Sequence, residues 1–439
     1  AVQVPPFLSL SEFVDMALFG DAQYRRALVL SYSHFSSVEN VLLLLKQKFL
    51  EENKVETQTK VIALMSFWIE KSYLDLAPSE EALLDLISVI QGSQEKWGKT
   101  LFTKMNTKKI CLSSFDDHGQ TSDLNWDGLN EGDLALSLTH AEAAIFQRIT
   151  PSELLAWNTK QKTTLSPSIH HAIAFSTRLS GWITSEIVKR MKLKERVRIV
   201  EKFIVLGEHL LELRNFSGCM AVIGGLTSSA VWRMNKTWES VSRDILSIFK
   251  GLQKVMNHSS SYAAYRAYLK GSNPPCIPFL GVSLSDLTFL DDGNKTRREE
   301  FGEGDGEKNP GSEEKFNVNK WIMLTKVIEE FQNSQNPSFA EVYPPAQGDF
   351  EKAISSHKIL SEAEAHRLSR FAEPKDTEEA MEEALQMYNE AQKKLNSMEE
   401  NKDDVGEQPL CYSPPLLKLP KEKVRRPTLE AKHKQPSSK

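Results

Sequence analysis

The sequence predicts an all-α protein made of two helical modules, and three observations carry that prediction. Apolar residues recur at three- and four-residue spacing from Leu8 to about Gln91 and again from Asp133 onward. Ser, Thr and Pro stand where helices would start. No strand alternation comes between, so helix follows helix.

The first module spans residues 6–95. Ser36 with Glu39 makes a capping box, after which Val38, Val41, Leu42 and Leu45 line one face. Val61, Leu64, Met65 and Trp68 repeat the spacing in the next helix. Pro78-Ser79-Glu80-Glu81 restarts a third ahead of Leu83, Leu84, Leu86 and Ile87. Taken singly, these residues describe only a small helical bundle. Gly92 to Gly132 is polar and lacks a sustained period, so residues 96–132 read as a linker, partly ordered by Trp97 and Trp126.

The second module spans residues 133–375. Thr139 with Glu142 reads as a capping box, and Thr150-Pro151-Ser152-Glu153 offers a cap, a first-turn proline and a glutamate at the third position. Ser166-Pro167 opens a helix whose Ile169, Ile173, Leu179, Trp182 and Ile183 face inward, with Ile187 continuing them. Glu195 to Leu213 is strongly periodic, and Asn215 caps the helix that runs through Ile223.

The chain is organised around Pro274 to Asn294. Its prolines stiffen the lead-in, and a short helix is expected from about Leu280 to Leu290, ending at Gly293 in a left-handed cap. Leu284, Thr288 and Asp292 recur every four residues and share a face. Asp291 and Asp292 sit at the helix C-terminus, where the macrodipole disfavours each by roughly 0.3–1 kcal/mol. Residues so placed either belong to a solvated turn or are kept for a partner. The return helix is expected over Asn317 to Phe331.

With 439 residues, 40% hydrophobic and 26% charged, the composition is that of a globular protein able to bury two cores. A net charge of -5, with no long basic face ahead of the C-terminal tail, argues against a nucleic-acid partner. Cys111, Cys219, Cys276 and Cys411 lie too far apart for a zinc site or disulfide scaffold and fit a reducing cytosol. No apolar run reaches the roughly 18–20 residues of a membrane span. No signal-peptide pattern opens the chain, and an alanine at position 1 suggests a piece of a longer protein.

Several separated motifs, in order, resemble the Ras-family guanine nucleotide exchange factors, of which Son of sevenless is the familiar example. Pro-Pro-Cys-Ile-Pro-Phe from Pro274, then Gly281, Leu284-Ser285-Asp286 and Asp291-Asp292-Gly293, are similar to the segment that opens that family's helical hairpin. Tyr24 to Leu42 and Met65 to Glu70 resemble its exchanger motif. Leu138-Thr139 through Leu155, Glu195-Arg196-Val197, Glu212 to Phe216, Ser228 to Met234 and Thr237-Trp238 resemble successive parts of its catalytic domain. The likeness covers roughly Leu134 to Glu373.

The resemblance implies a protein that binds a Ras-family small GTPase in its nucleotide-free state and makes it release nucleotide without a covalent step. Such a protein needs no cofactor, no metal of its own and no small-molecule substrate. It implies a wedge on the hairpin helix, with Thr288 where the family crowds the magnesium position and Asp292 where it fills the α-phosphate position. Leu284, on the same face, is taken as a third residue of the wedge. A carboxylate ~4 Å from a phosphate charge, at an effective dielectric of ~20, repels it by about 4 kcal/mol, less with solvent access. The resemblance also implies a pocket for a partner aromatic residue at Ile173, Met220, Tyr262 and Phe279. Arg178 and Thr227 are implied at its rim. A buried aromatic anchor contributes ~2 kcal/mol or more.

The chain departs from the pattern in places. Thr288 is more polar than the family's leucine, and Asp292 is one methylene shorter than its glutamate. Gly225-Leu226-Thr227 replaces Ala-Met-Asn, and Trp232 stands at a tyrosine position. The stretch from Lys295 to Lys315 is long, acidic and glycine-rich and reads as a solvated loop. Its glycines make no phosphate cradle, and Asp291-Asp292-Gly293 makes no calcium loop. Residues 376–439 read as an exposed charged helix, Glu378 to Glu400, followed by a basic tail from Lys418. The expected setting is cytoplasmic, with transient recruitment to membranes that carry the lipid-anchored partner. The rival reading is a GTPase-binding scaffold of the same fold without exchange activity.

Overall fold

Among the described residues, the elements between Leu10 and Ala372 are helices apart from one short strand. The computed structural model describes residues 7–51, 54–113, 126–296, 315–346 and 348–375, with Leu385, Asn389, Glu390 and Lys393. The chain divides into two units, Ala1–Glu383 and Ala384–Lys439, and the helices from Leu10 to Ala372 belong to the first. Apart from isolated residues and the two ends of the Lys295–Lys315 stretch, the expected acidic loop, charged helix and basic tail lie outside the described residues.

The N-terminal helices are α1 (Leu10–Phe19), α2 (Ala22–Ser31), α3 (Val38–Glu51), α4 (Val55–Leu76), α5 (Glu80–Ser93) and α6 (Glu95–Ser113). Next come α7 (Glu131–Gln147), α8 (Pro151–Ala156), α9 (Lys162–Leu165), α10 (Pro167–Val188), α11 (Leu193–Glu212) and α12 (Phe216–Leu226). The short α13 (Ser229–Trp232) and α14 (Asn235–Ser240) lead to α15 (Arg243–Val255) and α16 (Ser259–Lys270). A helical hairpin comes after them, α17 (Leu280–Asp292) and α18 (Val318–Ser334), and then α19 (Phe339–Val342), α20 (Phe350–Ser356) and α21 (Glu362–Ala372). Two short strands, β1 (Phe7–Leu8) and β2 (Phe316–Asn317), pair antiparallel.

Most residues of the expected apolar faces are buried. Val61, Leu64, Met65 and Trp68 of α4 are fully enclosed, as are Ile169, Leu179 and Ile183 of α10. Thr150 accepts a hydrogen bond from the Glu153 amide at 3.2 Å, and the Glu153 carboxylate accepts from the amides of Ser168 and Ile169, capping the next long helix. Asn215 caps α12 by accepting from the Gly218 amide at 2.8 Å.

Several expectations are corrected. Ser37, not Ser36, caps α3, accepting from the Asn40 amide, while Glu39 accepts from Ser79. Thr139 and Glu142 are no helix start, because Asn130 already caps α7 well ahead of them; both side chains lie inside the fold. The stretch read as a linker contains the nineteen-residue α6. That helix buries Leu101 and Met105 but exposes Trp97, Phe102 and several lysines, which blurs its period. At its start it crosses α5 so closely that a Cβ on Gly98 would collide with Gln91. Trp126 does order its surroundings, packing 4.8 Å from Trp182 and stacking on Phe203 at 5.9 Å. Ile173 faces outward at 38% exposure, not inward.

The two expected cores are one continuous hydrophobic cluster running from Leu8 to Ala365. The reason is the packing of α2 on α18, reinforced by the β1–β2 pair. Phe35 sits among Phe13, Phe316 and Trp321 at centroid distances of 5.5, 5.1 and 5.6 Å, and His34 meets Trp321 edge-on. Arg26 pairs with Glu329 at 3.5 Å, and Gln332 donates to the Lys71 carbonyl at 2.6 Å. The back of the hairpin is thus clamped by the N-terminal helices.

Candidate functional site

The hairpin begins where the proline-rich run is stitched to the body of the domain. Ile277 donates to the Arg214 carbonyl and accepts from the Phe216 amide, each at 2.9 Å, and Cys276 donates to the Ser334 carbonyl at 2.7 Å. Arg214 adopts φ 60, the left-handed region, which turns the chain between α11 and α12 toward this run. Its guanidinium donates to the Asn273 carbonyl at 2.5 Å and to the Tyr343 hydroxyl at 2.9 Å. The Phe279 amide donates to the Tyr265 hydroxyl at 2.9 Å, and α17 starts at the next residue.

Beneath the run lies a buried polar cluster. Asn215 donates to Glu142 at 2.6 Å and to Thr139 at 3.2 Å, and Ser217 donates to the other Glu142 oxygen at 2.9 Å. Burial pushes the Glu142 carboxyl up to about 7, against hydrogen bonds from Asn215 and Ser217 that favour its ionised form. Desolvation likewise raises the neighbouring Cys219 thiol to about 12, so it is a packing residue and no nucleophile.

Along α17, Leu280, Val282, Leu284 and Leu287 are buried. The face shared by Leu284, Thr288 and Asp292 passes from buried through half-buried to exposed as the helix leaves the body. Leu284 therefore supports the face from inside and does not reach its surface. The Thr288 hydroxyl lies 2.7 Å from Asn158 Oδ1 and 2.9 Å from the Leu284 carbonyl, two acceptors for one proton. Asp291 is held by Lys320, whose ammonium lies 2.6 Å from its carboxylate and also donates to the Asp291 carbonyl and the Thr296 hydroxyl. Asp292 is exposed and has no partner among the described residues. Gly293 closes the helix at φ -74, right-handed and not the expected left-handed cap, and the Asn294 side chain donates to the Leu290 carbonyl at 2.9 Å.

The aromatic residues lie beside the base of the hairpin. Tyr262 sits with its ring 5.7 Å from that of Phe279 and 6.5 Å from that of Tyr265. Ser260, Ser261 and Tyr262 all have positive φ, at 52, 54 and 61. Such backbone costs of order 1–3 kcal/mol per residue, so the surroundings hold this presentation of Tyr262 in place. Ile173 and Met220 lie on the packed pair α10 and α12, Ile173 exposed and Met220 half-buried. Thr227 is exposed at the far end of α12, its hydroxyl donating to the Ile223 carbonyl at 2.7 Å. Arg178 does not stand free at a rim. It donates to the carbonyls of Ile354, Ser355 and His357 at 2.6–2.8 Å, closing the C-terminus of α20.

Asn158, Lys320, Glu142 and the ion pair between Arg266 and Asp286 also bear on the hairpin, and sequence reasoning does not single them out as site residues. Around them only Asn215, the partner of Glu142, carries a local signal, as a helix cap. Among the described residues no group of His, Cys, Asp and Glu could hold a metal ion, and no helix is long and apolar enough to cross a membrane.

The site is thus a helical hairpin braced on an all-α domain, with an aromatic cluster at its base. Residues 133–322 match the RasGEF domain. The chain is 28% identical over 384 residues to Ras guanine nucleotide exchange factor R of Dictyostelium discoideum, covering 82% of this chain and 21% of that protein. It is 34% identical over 247 residues to exchange factor M of the same organism, 55% of this chain and 25% of that protein. With exchange factor A it shares 28% over 321 residues, 66% of this chain and 52% of that protein. The chain thus spans between about a fifth and a half of the length of these relatives.

Proposed function

We propose that this chain is a guanine nucleotide exchange factor that binds a Ras-family small GTPase and promotes GDP release. In this reading residues 133–375 form the exchange domain, residues 6–95 the exchanger module that braces the hairpin, and residues 96–132 their connection. Residues 376–439 lie beyond the exchange domain. The observation that carries the proposal is the end of α17, where Asp291 is locked to Lys320 and the adjacent Asp292 is left exposed. A carboxylate held on a braced helix and turned away from its own fold is suited to entering the phosphate site of a partner.

The mechanism is competition for one site. Thr288 crowds the partner's magnesium position and Asp292 its α-phosphate position, while Leu284 keeps the helix seated. Tyr262, Phe279, Ile173 and Met220 receive an aromatic side chain of the partner, with Thr227 at the edge and Arg178 holding α20 behind it. Nucleotide and exchange factor then weaken one another by the same factor. Each tenfold gain in release rate requires about 1.4 kcal/mol of barrier reduction. The intermediate is the nucleotide-free complex, and the catalyst undergoes no covalent change. The reading places the chain in the cytoplasm, at membranes where the GTPase is anchored.

The test is to mix the chain with a panel of Ras-family GTPases loaded with fluorescent nucleotide. Accelerated release from at least one member is expected. Binding with unaltered release would favour a scaffold instead. Failure to bind any nucleotide-free member would remove both readings.

A further inference from the structure

Arg266 of α16 joins the two halves of the proposed site through one guanidinium. Its Nε donates to the Ser261 carbonyl at 2.8 Å, inside the left-handed turn that presents Tyr262. Its Nη1 and Nη2 donate to the two carboxylate oxygens of Asp286 on α17 at 2.6 and 2.7 Å. This is the planar two-point geometry that makes an Arg–carboxylate pair directional, beyond a simple attraction of charges. The same helix also reaches the hairpin base through the Tyr265 hydroxyl and the Phe279 amide.

Beside this fork α17 is not packed solid. A cleft of about 470 Å³ lies between α16, α17 and α18, lined by Leu269, Val282 and Phe331 among others, with Arg266 and Asp286 both on its wall. The hairpin helix therefore has room to tilt on this side. What ties it to α16 across the opening is the Arg266–Asp286 fork.

We infer that Arg266 is a positioning residue that couples occupancy of the aromatic pocket to the placement of the wedge. A partner side chain entering at Tyr262 and Phe279 loads the strained turn. The turn bears on Arg266 through the Ser261 carbonyl, and Arg266 transmits the load to Asp286, two residues before Thr288. Arg266 touches neither nucleotide nor metal, and its effect is on where α17 stands. The inference rests on the exchange-factor reading above.

The experiment measures nucleotide release from a responsive GTPase, as maximal rate and half-saturating concentration, for the unaltered chain, Arg266→Ala, Arg266→Lys, Asp286→Asn and the exchange Arg266→Asp with Asp286→Arg. Unfolding midpoints are taken on the same samples. Arg266→Ala and Asp286→Asn are expected to slow maximal release roughly three- to thirtyfold, with half-saturation changed less than about twofold. Lysine, lacking the fork, should not restore the rate, whereas the charge exchange should recover most of it. An active unaltered chain whose variants keep the maximal rate, or lose only affinity, overturns the coupling alone. So does a lowered midpoint with no recovery in the exchanged pair. An unaltered chain that releases nucleotide from no GTPase overturns the exchange-factor reading and this inference with it.

Discussion

Lys320 Nζ lies 2.6 Å from the Asp291 carboxylate, and this one contact gives two adjacent aspartates different tasks. The roughly 100° turn per helical residue points Asp291 at α18 and Asp292 at solvent. Lys320 is only 2% exposed, and its ammonium is met by this partner and by the oxygens of Thr296 and the Asp291 backbone. Removing one member of such a pair leaves an uncompensated buried charge. Asp291→Ala is expected to destabilise the fold by about 3 kcal/mol in urea unfolding. A loss below about 1 kcal/mol would mean that the hairpin is not anchored here.

Asp292→Ala is expected to behave in the opposite way. The side chain is exposed and unpartnered among the described residues, so the unfolding midpoint should stay put. Nucleotide release should slow roughly tenfold, the modest effect of removing a solvent-exposed repelling charge. Unchanged release kinetics would take Asp292 out of the proposed mechanism.

Charged substitutions separate the pocket from its frame. Tyr262→Asp or Phe279→Glu puts an unpaired carboxylate among the rings of Tyr262, Tyr265 and Phe279 and should abolish binding of nucleotide-free GTPase. Arg178→Ala removes three hydrogen bonds to the end of α20 and should lower stability by roughly 1–3 kcal/mol while binding survives at lower temperature. A pull-down on immobilised nucleotide-free GTPase with a parallel melting curve reads both. Retained binding by both pocket variants would dismiss the aromatic site.

Glu142 gives the fold a dependence on pH. Its folded-state value of about 7 lies above the ordinary 4.5 of a glutamate, so between those pH values the folded protein holds a proton that the unfolded chain has lost. Stability from this group is therefore full below pH 4.5 and declines as pH rises to about 7, a total of about 3 kcal/mol. Glu142→Gln should remove that slope. Urea unfolding of both proteins at about pH 5 and about pH 8 measures it, and equal pH dependence in the two would show that Glu142 does not titrate in this range.

How far the sequence reaches can be judged from particular residues. The apolar face of α4, the proline-led starts of α8 and α10 and the Asn215 cap are legible because each is a pattern within a few residues. Thr139 with Glu142 has the spacing of a capping box yet serves a buried cluster, since the same pair of residue types satisfies Asn215 from a distance of 73–76 positions. Helix α6 is not legible because its buried residues, Leu101 and Met105, are outnumbered by exposed apolar and basic ones. Ile173 continues the apolar stripe of α10 but faces outward, since helical spacing gives a stripe without saying where it ends.

By itself the sequence determined that the fold is all-α, that α17 carries Leu284, Thr288 and Asp292 on one face, and that a family likeness attaches to that face. Only the tertiary structure decided that Asp291 is held while Asp292 stays exposed, that Thr288 meets Asn158 130 positions away, and that Arg266 links Ser261 to Asp286. The physical reason is range. Helix propensity, capping and periodicity are set by neighbours within one or two turns, whereas the orientation of a charged side chain is settled by whichever distant group the packed core brings within about 3 Å of it.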